Sequence, residues 1–122
     1  MNNLFDIKIC GITDEACMKI AIDYKIDYIG LVFYEKSPRN VTIPLSKKLL
    51  NKRNKKTKIV ALTVNPDDMF LQQIKNYIKP DYIQLHGEET PNRCKNIRDK
   101  FNIPLIKGIG IKKNMDLKGC VN

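Results

Sequence analysis

Five short apolar runs, at residues 7–11, 28–33, 58–64, 82–86 and 104–107, alternate with stretches whose apolar residues recur every three or four positions. This alternation restricts the fold to a largely parallel sheet. A strand can return in the same direction only after a crossover connection, and in a shared sheet that crossover is right-handed. The second run, from Tyr28 to Phe33, is apolar throughout, as expected of a strand covered on both faces. At 122 residues the chain is expected to be one domain with a sizeable core. Two architectures fit. A five-stranded doubly wound domain would be complete at this length. A (β/α)8 barrel, which needs about 200 residues or more, would be cut off just past halfway.

Helix starts punctuate the runs. Thr13 or Asp14 can cap a first helix with Asp14 and Glu15 in its first turn, and Ala16, Ile20 and Tyr24 would form its buried face. A second helix starts near Pro44 and uses Leu45 and Leu49. In the third, Asn65 caps, Pro66 takes the first helical position and Asp67 and Asp68 follow; Phe70, Ile74, Tyr77 and Ile78 supply the apolar face. Thr90-Pro91 repeats this start before Cys94 and Ile97. The fifth strand could extend through residues 108–111, and the short polar tail beyond it has Met115 and Leu117 as its main anchors.

The formal net charge of +9 raises the question of a nucleic-acid partner. The excess is lysine, 18 residues against 4 arginines, in a chain rich in Ile and Asn; biased codon usage accounts for such a composition. The densest basic run, from Lys47 to Lys58, holds no aromatic on which bases could stack. A solvated surface is the preferred reading, and no nucleic-acid partner is expected. A basic surface would also draw in a phosphorylated metabolite. No apolar run approaches the ~20 residues of a membrane helix, and no signal peptide is visible, so a cytoplasmic setting is expected. The cysteines, Cys10, Cys17, Cys94 and Cys120, form no CxxC pair and no metal-ligand spacing, so no metal site is read in them. Within their helices, Cys17 and Cys94 read as buried, inert thiols.

Polar residues at the strand ends discriminate between the architectures. Side chains alternate along a strand, so Lys8 and Cys10 share one face of the first strand, opposite Ile7 and Ile9. Gln84 and His86 likewise share a face of the fourth, opposite Ile83 and Leu85. The loop after the second strand brings Arg39, and the fifth strand brings Lys107. A sheet covered on both faces has no cheap place for inward Lys, Gln and His, because an unpaired buried polar group costs kilocalories. The mouth of a barrel does. In either architecture ligands bind at the carboxyl ends of the strands.

Lys8-Ile9-Cys10-Gly11-Ile12-Thr13, Gly30-Leu31-Val32-Phe33 with Ser37-Pro38-Arg39, and Gln84-Leu85-His86-Gly87-Glu88 resemble the motifs of the phosphoribosylanthranilate isomerases, (β/α) barrel enzymes of tryptophan biosynthesis. The resemblance spans about residues 6–110. It implies an incomplete barrel of about five parallel strands and four helices, the N-terminal portion of a single (β/α)8 domain. It also implies a cofactor-free Amadori rearrangement of N-(5-phosphoribosyl)anthranilate, a phosphorylated aminosugar, to 1-(2-carboxyphenylamino)-1-deoxyribulose 5-phosphate. Cys10 would be the general base, with Lys8 on the same face to favour its thiolate, since a free thiol's pKa is ~8.5 and a nearby cation lowers it. Arg39 would hold the anthranilate carboxylate, a task suited to a two-pronged guanidinium, and His86 would line the pocket.

The sequence departs from the family pattern in three places. The family's general acid is an aspartate ending strand six, which these residues do not reach; Asp116 falls too early for that role. The glycine-rich phosphate loops after strands seven and eight are absent. Lys25-Ile26-Asp27 stands where the family has a glycine to end the first helix. The 122 residues alone are therefore expected to lack useful isomerase activity and to self-associate through unpaired strand edges. The competing readings are a non-catalytic half-barrel assembly module and a complete doubly wound binding domain.

Overall fold

A computed structural model describes residues 5–110. It contains β1 (Lys8–Cys10), α1 (Glu15–Asp23), β2 (Tyr28–Phe33), α2 (Ile43–Leu49) with a 3-10 turn (Leu50–Lys52), β3 (Lys58–Thr63), α3 (Asp68–Tyr77), β4 (Tyr82–Leu85), α4 (Pro91–Phe101) and β5 (Leu105–Lys107). Every neighbouring pair of strands is parallel, and their spatial order is β1-β2-β3-β4-β5. A doubly wound sheet reverses its order at a switch point. This sheet has none, which overturns the doubly wound expectation. Consecutive order with right-handed crossovers puts successive helices on one side, as in a barrel wall.

Packing bears this out. Ile29, Leu31 and Phe33 of β2 and Ile59 and Ala61 of β3 join Met18 and Ala21 of α1, Leu49 of α2 and Ile74 of α3 in one cluster. Ile83 and Leu85 of β4 pack with Leu71 of α3 and Ile97 and Phe101 of α4 in a second. All the strand residues in both clusters belong to one parity, so they share the helix-covered face. β1 and β5 stand at the edges of an open sheet.

Several helix details differ from the sequence expectations. In α1 the buried residues are Met18 and Ala21, while Ala16 is exposed and Ile20 and Tyr24 are 57% and 78% exposed. The residues at the other four-residue spacing lie on nearly the opposite side of the helix. Cys17 is exposed and not buried. Its thiol is pushed up by the hydrogen bond and negative charge of Asp14, the cap of α1. In α3 the cap is Asp67, whose carboxylate accepts from the Phe70 amide at 2.8 Å, and the buried stripe is Leu71, Ile74 and Ile78; Tyr77 is exposed. Thr42 and Thr90 cap α2 and α4.

With no glycine after α1, Lys25 itself takes the left-handed conformation (φ 55°). Its amide donates to the Ile22 carbonyl at 3.0 Å, and the Ile26 amide to that of Ala21 at 3.1 Å, a Schellman-type ending. Asn102 ends α4 in the same conformation. Asp116, Cys120 and the expected anchors Met115 and Leu117 lie outside the described residues. No described helix is long and apolar enough to cross a membrane.

Candidate active site at the carboxyl ends of the strands

The face opposite the described helices carries the other parity: Lys8 and Cys10 of β1, Tyr28, Gly30 and Val32 of β2, Val60 and Leu62 of β3, and Tyr82 and Gln84 of β4. It is strongly concave. The Lys8 ammonium on β1 donates to Gln84 Oε1 on β4, across three strand spacings that would be about 14 Å in a flat sheet. Below that bridge the rings of Tyr28 and Tyr82, two strands apart, meet edge to face with centroids 5.9 Å apart. Curvature explains why Val60 and Val32 are buried on a face that no described helix covers.

Cys10 and Arg39 meet at the end of β1. The Cys10 sulfur lies over Gly30, where an added Cβ would come within 2.8 Å of it. Gly11 turns the chain with φ 89°, and the Arg39 side chain lies against it; a Cβ there would fall 2.5 Å from the arginine's Cδ. Arg39 Nη1 donates to the Cys10 carbonyl at 3.0 Å, and the Arg39 amide is fixed by Ser37 Oγ at 3.1 Å. The two glycines leave space for the thiol and for the guanidinium. Arg39 stays exposed, with guanidinium donors that no described residue takes and that suit an incoming carboxylate.

The other side of the mouth is built differently. The His86 imidazole lies over Gly108, where a Cβ would fall 2.3 Å from its Nδ1. Lys107, expected at the site as a strand-end cation, is engaged in structure. Its ammonium donates to Glu89 Oε1 at 2.9 Å and to the Gly87 carbonyl at 2.6 Å. The side chain of Glu89 is 1% exposed. Burial acts to raise its pKa, but the hydrogen bonds from Lys107 and from the Asn65 amide outweigh it and hold the carboxyl below its ordinary 4.5. Asn65, expected to cap α3, instead adopts φ 46°, donates its amide to Glu89 Oε2 at 2.7 Å and accepts from the Glu88 amide at 3.0 Å.

Thus Cys10 and Arg39 adjoin, Lys8 reaches Gln84, and His86 sits across the mouth beside Gly108. Among the described residues no hydrogen bond joins His86 to Cys10 or Arg39, and Lys8 is bonded to Gln84 and not to the thiol. Glu89 and Gly108 were given no role from sequence, Asn65 only that of a helix cap, and Gly30 only a place in a motif. Glu89 directly follows the Gln84–Glu88 motif, and that adjacency was its one local signal. A separate cleft between the β2–α2 loop and the start of α3 is lined by Phe33, Val64 and Phe70; it belongs to the helix side.

Residues 7–121 match the family described as N-(5'-phosphoribosyl)anthranilate (PRA) isomerase. The chain belongs to that family. Curated relatives named N-(5'-phosphoribosyl)anthranilate isomerase include those of Rhizobium rhizogenes, 40% identical over 93% of this chain and 51% of the relative, and Paramagnetospirillum magneticum, 41% identical over 92% and 52%. The chain spans about half the length of the curated relatives it matches. The Thermotoga maritima phosphoribosylanthranilate isomerase superposes with a TM-score of 0.88 at 26% identity, covering 96% of this chain and 56% of that one. A phosphoribosylanthranilate isomerase solved with reduced 1-(o-carboxyphenylamino)-1-deoxyribulose 5-phosphate gives the same TM-score and identity. The family assignment agrees with the barrel-like strand order and with the three sequence motifs.

Proposed function

We propose that residues 1–122 form the N-terminal portion of a single (β/α)8 phosphoribosylanthranilate isomerase domain and carry the base half of its Amadori rearrangement. The observation that carries this reading is the adjacency of Cys10 and Arg39. An arginine lies on the glycine that ends the thiol's strand and is hydrogen-bonded to the thiol residue's own carbonyl.

In this reading Arg39 exchanges part of its contact with that carbonyl for the anthranilate carboxylate of the substrate. This orients the aminosugar so that C2 faces Cys10. A general acid protonates the ring oxygen, the ring C1–O bond breaks, and the sugar opens to a Schiff base. The Cys10 thiolate then takes the C2 proton, and the C2–H electron pair moves to give the enolamine, which tautomerises to the ketone. Lys8, tethered by Gln84, keeps positive charge on the concave face, and His86 borders the pocket opposite Arg39. The acid and the phosphate-binding loops are assigned to the part of the family barrel that these residues do not span. A reducing, cytoplasmic setting suits a thiol that must stay free. With β1 and β5 at the edges of the described sheet, the 122-residue chain alone is expected to self-associate.

A chimera tests the assignment: residues 1–110 replace the matching portion of the Rhizobium rhizogenes relative, and turnover of the aminoaldose is measured. The chimera is expected to turn over, and Cys10→Ala to lower kcat by about 10²–10⁴-fold. Full turnover in the Cys10→Ala chimera would remove Cys10 from the chemistry. Cys10-dependent turnover by the 122 residues alone would show that the acid lies within them.

A further inference from the structure

We propose that the Glu89–Lys107 ion pair is a positioning device that fixes His86 at the mouth of the site. The pair grips Gly87, the residue after His86, at both of its backbone polar groups. Glu89 Oε1 accepts from the Gly87 amide at 3.0 Å, and Lys107 Nζ donates to the Gly87 carbonyl at 2.6 Å. On the other side, the His86 amide donates to the Thr63 carbonyl at 2.9 Å. The second carboxylate oxygen of Glu89 accepts from the Asn65 amide, and the Glu88 amide donates to Asn65 Oδ1, so the turns after β3 and β4 are clasped together. Lys107, the last residue of β5, also sets the following Gly108 under the imidazole; the Gly108 amide donates to the Leu85 carbonyl at 2.8 Å.

The histidine needs such a device. Among the described residues it is exposed, so the place of the ring follows from the place of its backbone. Two glycines border that place, Gly87 next in sequence and Gly108 beneath, and glycine is the residue with the most backbone freedom to lose. A nearly dry carboxylate with three hydrogen-bond donors, tied to an ammonium from the neighbouring strand, removes that freedom. Glu89 and Lys107 act through His86 and are not placed against substrate. The inference rests on the reading of His86 as a pocket residue and adds what holds it there.

The chain contains a single histidine, which makes the test clean. With 13C-labelled histidine in the 122-residue chain, NMR reads one imidazole Hε1 signal and its nuclear Overhauser contact to Gly108, and hydrogen exchange reads the Gly87 amide. Lys107→Met is expected to abolish the ring-to-Gly108 contact, move the Hε1 signal toward its random-coil position and speed Gly87 exchange by at least about tenfold. Glu89→Gln, which keeps one acceptor oxygen, should shift the signal the same way by less. Lys100→Met, which breaks a surface ion pair to Asp68, should leave it unmoved. An unmoved His86 signal in Lys107→Met, an equal shift in Lys100→Met, or global unfolding of both Lys107→Met and Glu89→Gln would each overturn the proposal. Neither readout uses substrate, so this test and the isomerase test fail independently.

Discussion

The two faces of this sheet are made by opposite means. On the helix side, Leu31, Ile59, Ile83 and Leu85 are fully buried among apolar residues of four helices, and nothing polar is needed to hold them. On the concave side no described helix arrives. Val60 is nevertheless fully buried, because the sheet curls until Lys8 meets Gln84 and Tyr28 meets Tyr82 across it. The first face stabilises by area removed from water. The second keeps ammonium, amide, thiol and phenol groups at the price of weaker packing, an arrangement that suits binding and proton transfer better than stability.

Truncation on the covered face should therefore have the largest effect. Leu31→Ala removes a side chain with no exposed surface at the centre of the main cluster, and should cost about 2–5 kcal/mol. Chemical denaturation of the variant beside the parent measures it. A loss under about 1 kcal/mol would mean that the helix layer is loosely packed and that the contrast between faces fails.

The rim between the two faces is sensitive to acid. Glu89 has its folded pKa held below the unfolded value, so its contribution to stability is fully present above the ordinary 4.5 and is lost as the pH falls through the lower folded value. Urea midpoints followed downward from about pH 5 should fall more steeply for the parent than for Glu89→Gln, whose amide does not titrate. Equal slopes would show that this carboxylate is no better stabilised in the folded chain than in the unfolded one.

The covered face was the more legible from sequence. Runs of Ile, Leu and Val at strand length placed β2 with both its ends and the other strands within a few residues, and the Thr90-Pro91 start of α4 appears as expected. Which stripe of α1 faces the sheet was not legible. Ala16, Ile20 and Tyr24 offer as regular a spacing as Met18 and Ala21, and the choice is made by how the chain leaves Gly11 and enters β2. Asn65 and Asp67 are both good caps, and the outcome turns on Glu89, 24 residues beyond Asn65, taking the asparagine's amide. On the concave face, parity grouped Lys8 with Cys10 within β1, while His86 falls one residue past the end of β4 and lies over Gly108. Their partners depend on curvature, which is a property of the whole sheet. No local pattern announced that Lys8 would be tied to Gln84, or that Gly30 and Gly108 would leave room for the thiol and the imidazole.

The smallest effect should come from the concave face itself. Lys8→Met keeps the aliphatic stem and removes the ammonium that bonds Gln84. The lysine is exposed, so the lost hydrogen bond is largely replaced by water around Gln84, and stability should change by no more than about 1 kcal/mol. The same substitution in the active chimera should still lower turnover, because it takes away the positive charge on the thiol's own face. A denaturation midpoint that drops as far as that of Leu31→Ala would show that the Lys8–Gln84 bridge holds the curvature. The concave face would then be a structural core in its own right, and its polar residues would owe their presence to the fold before the chemistry.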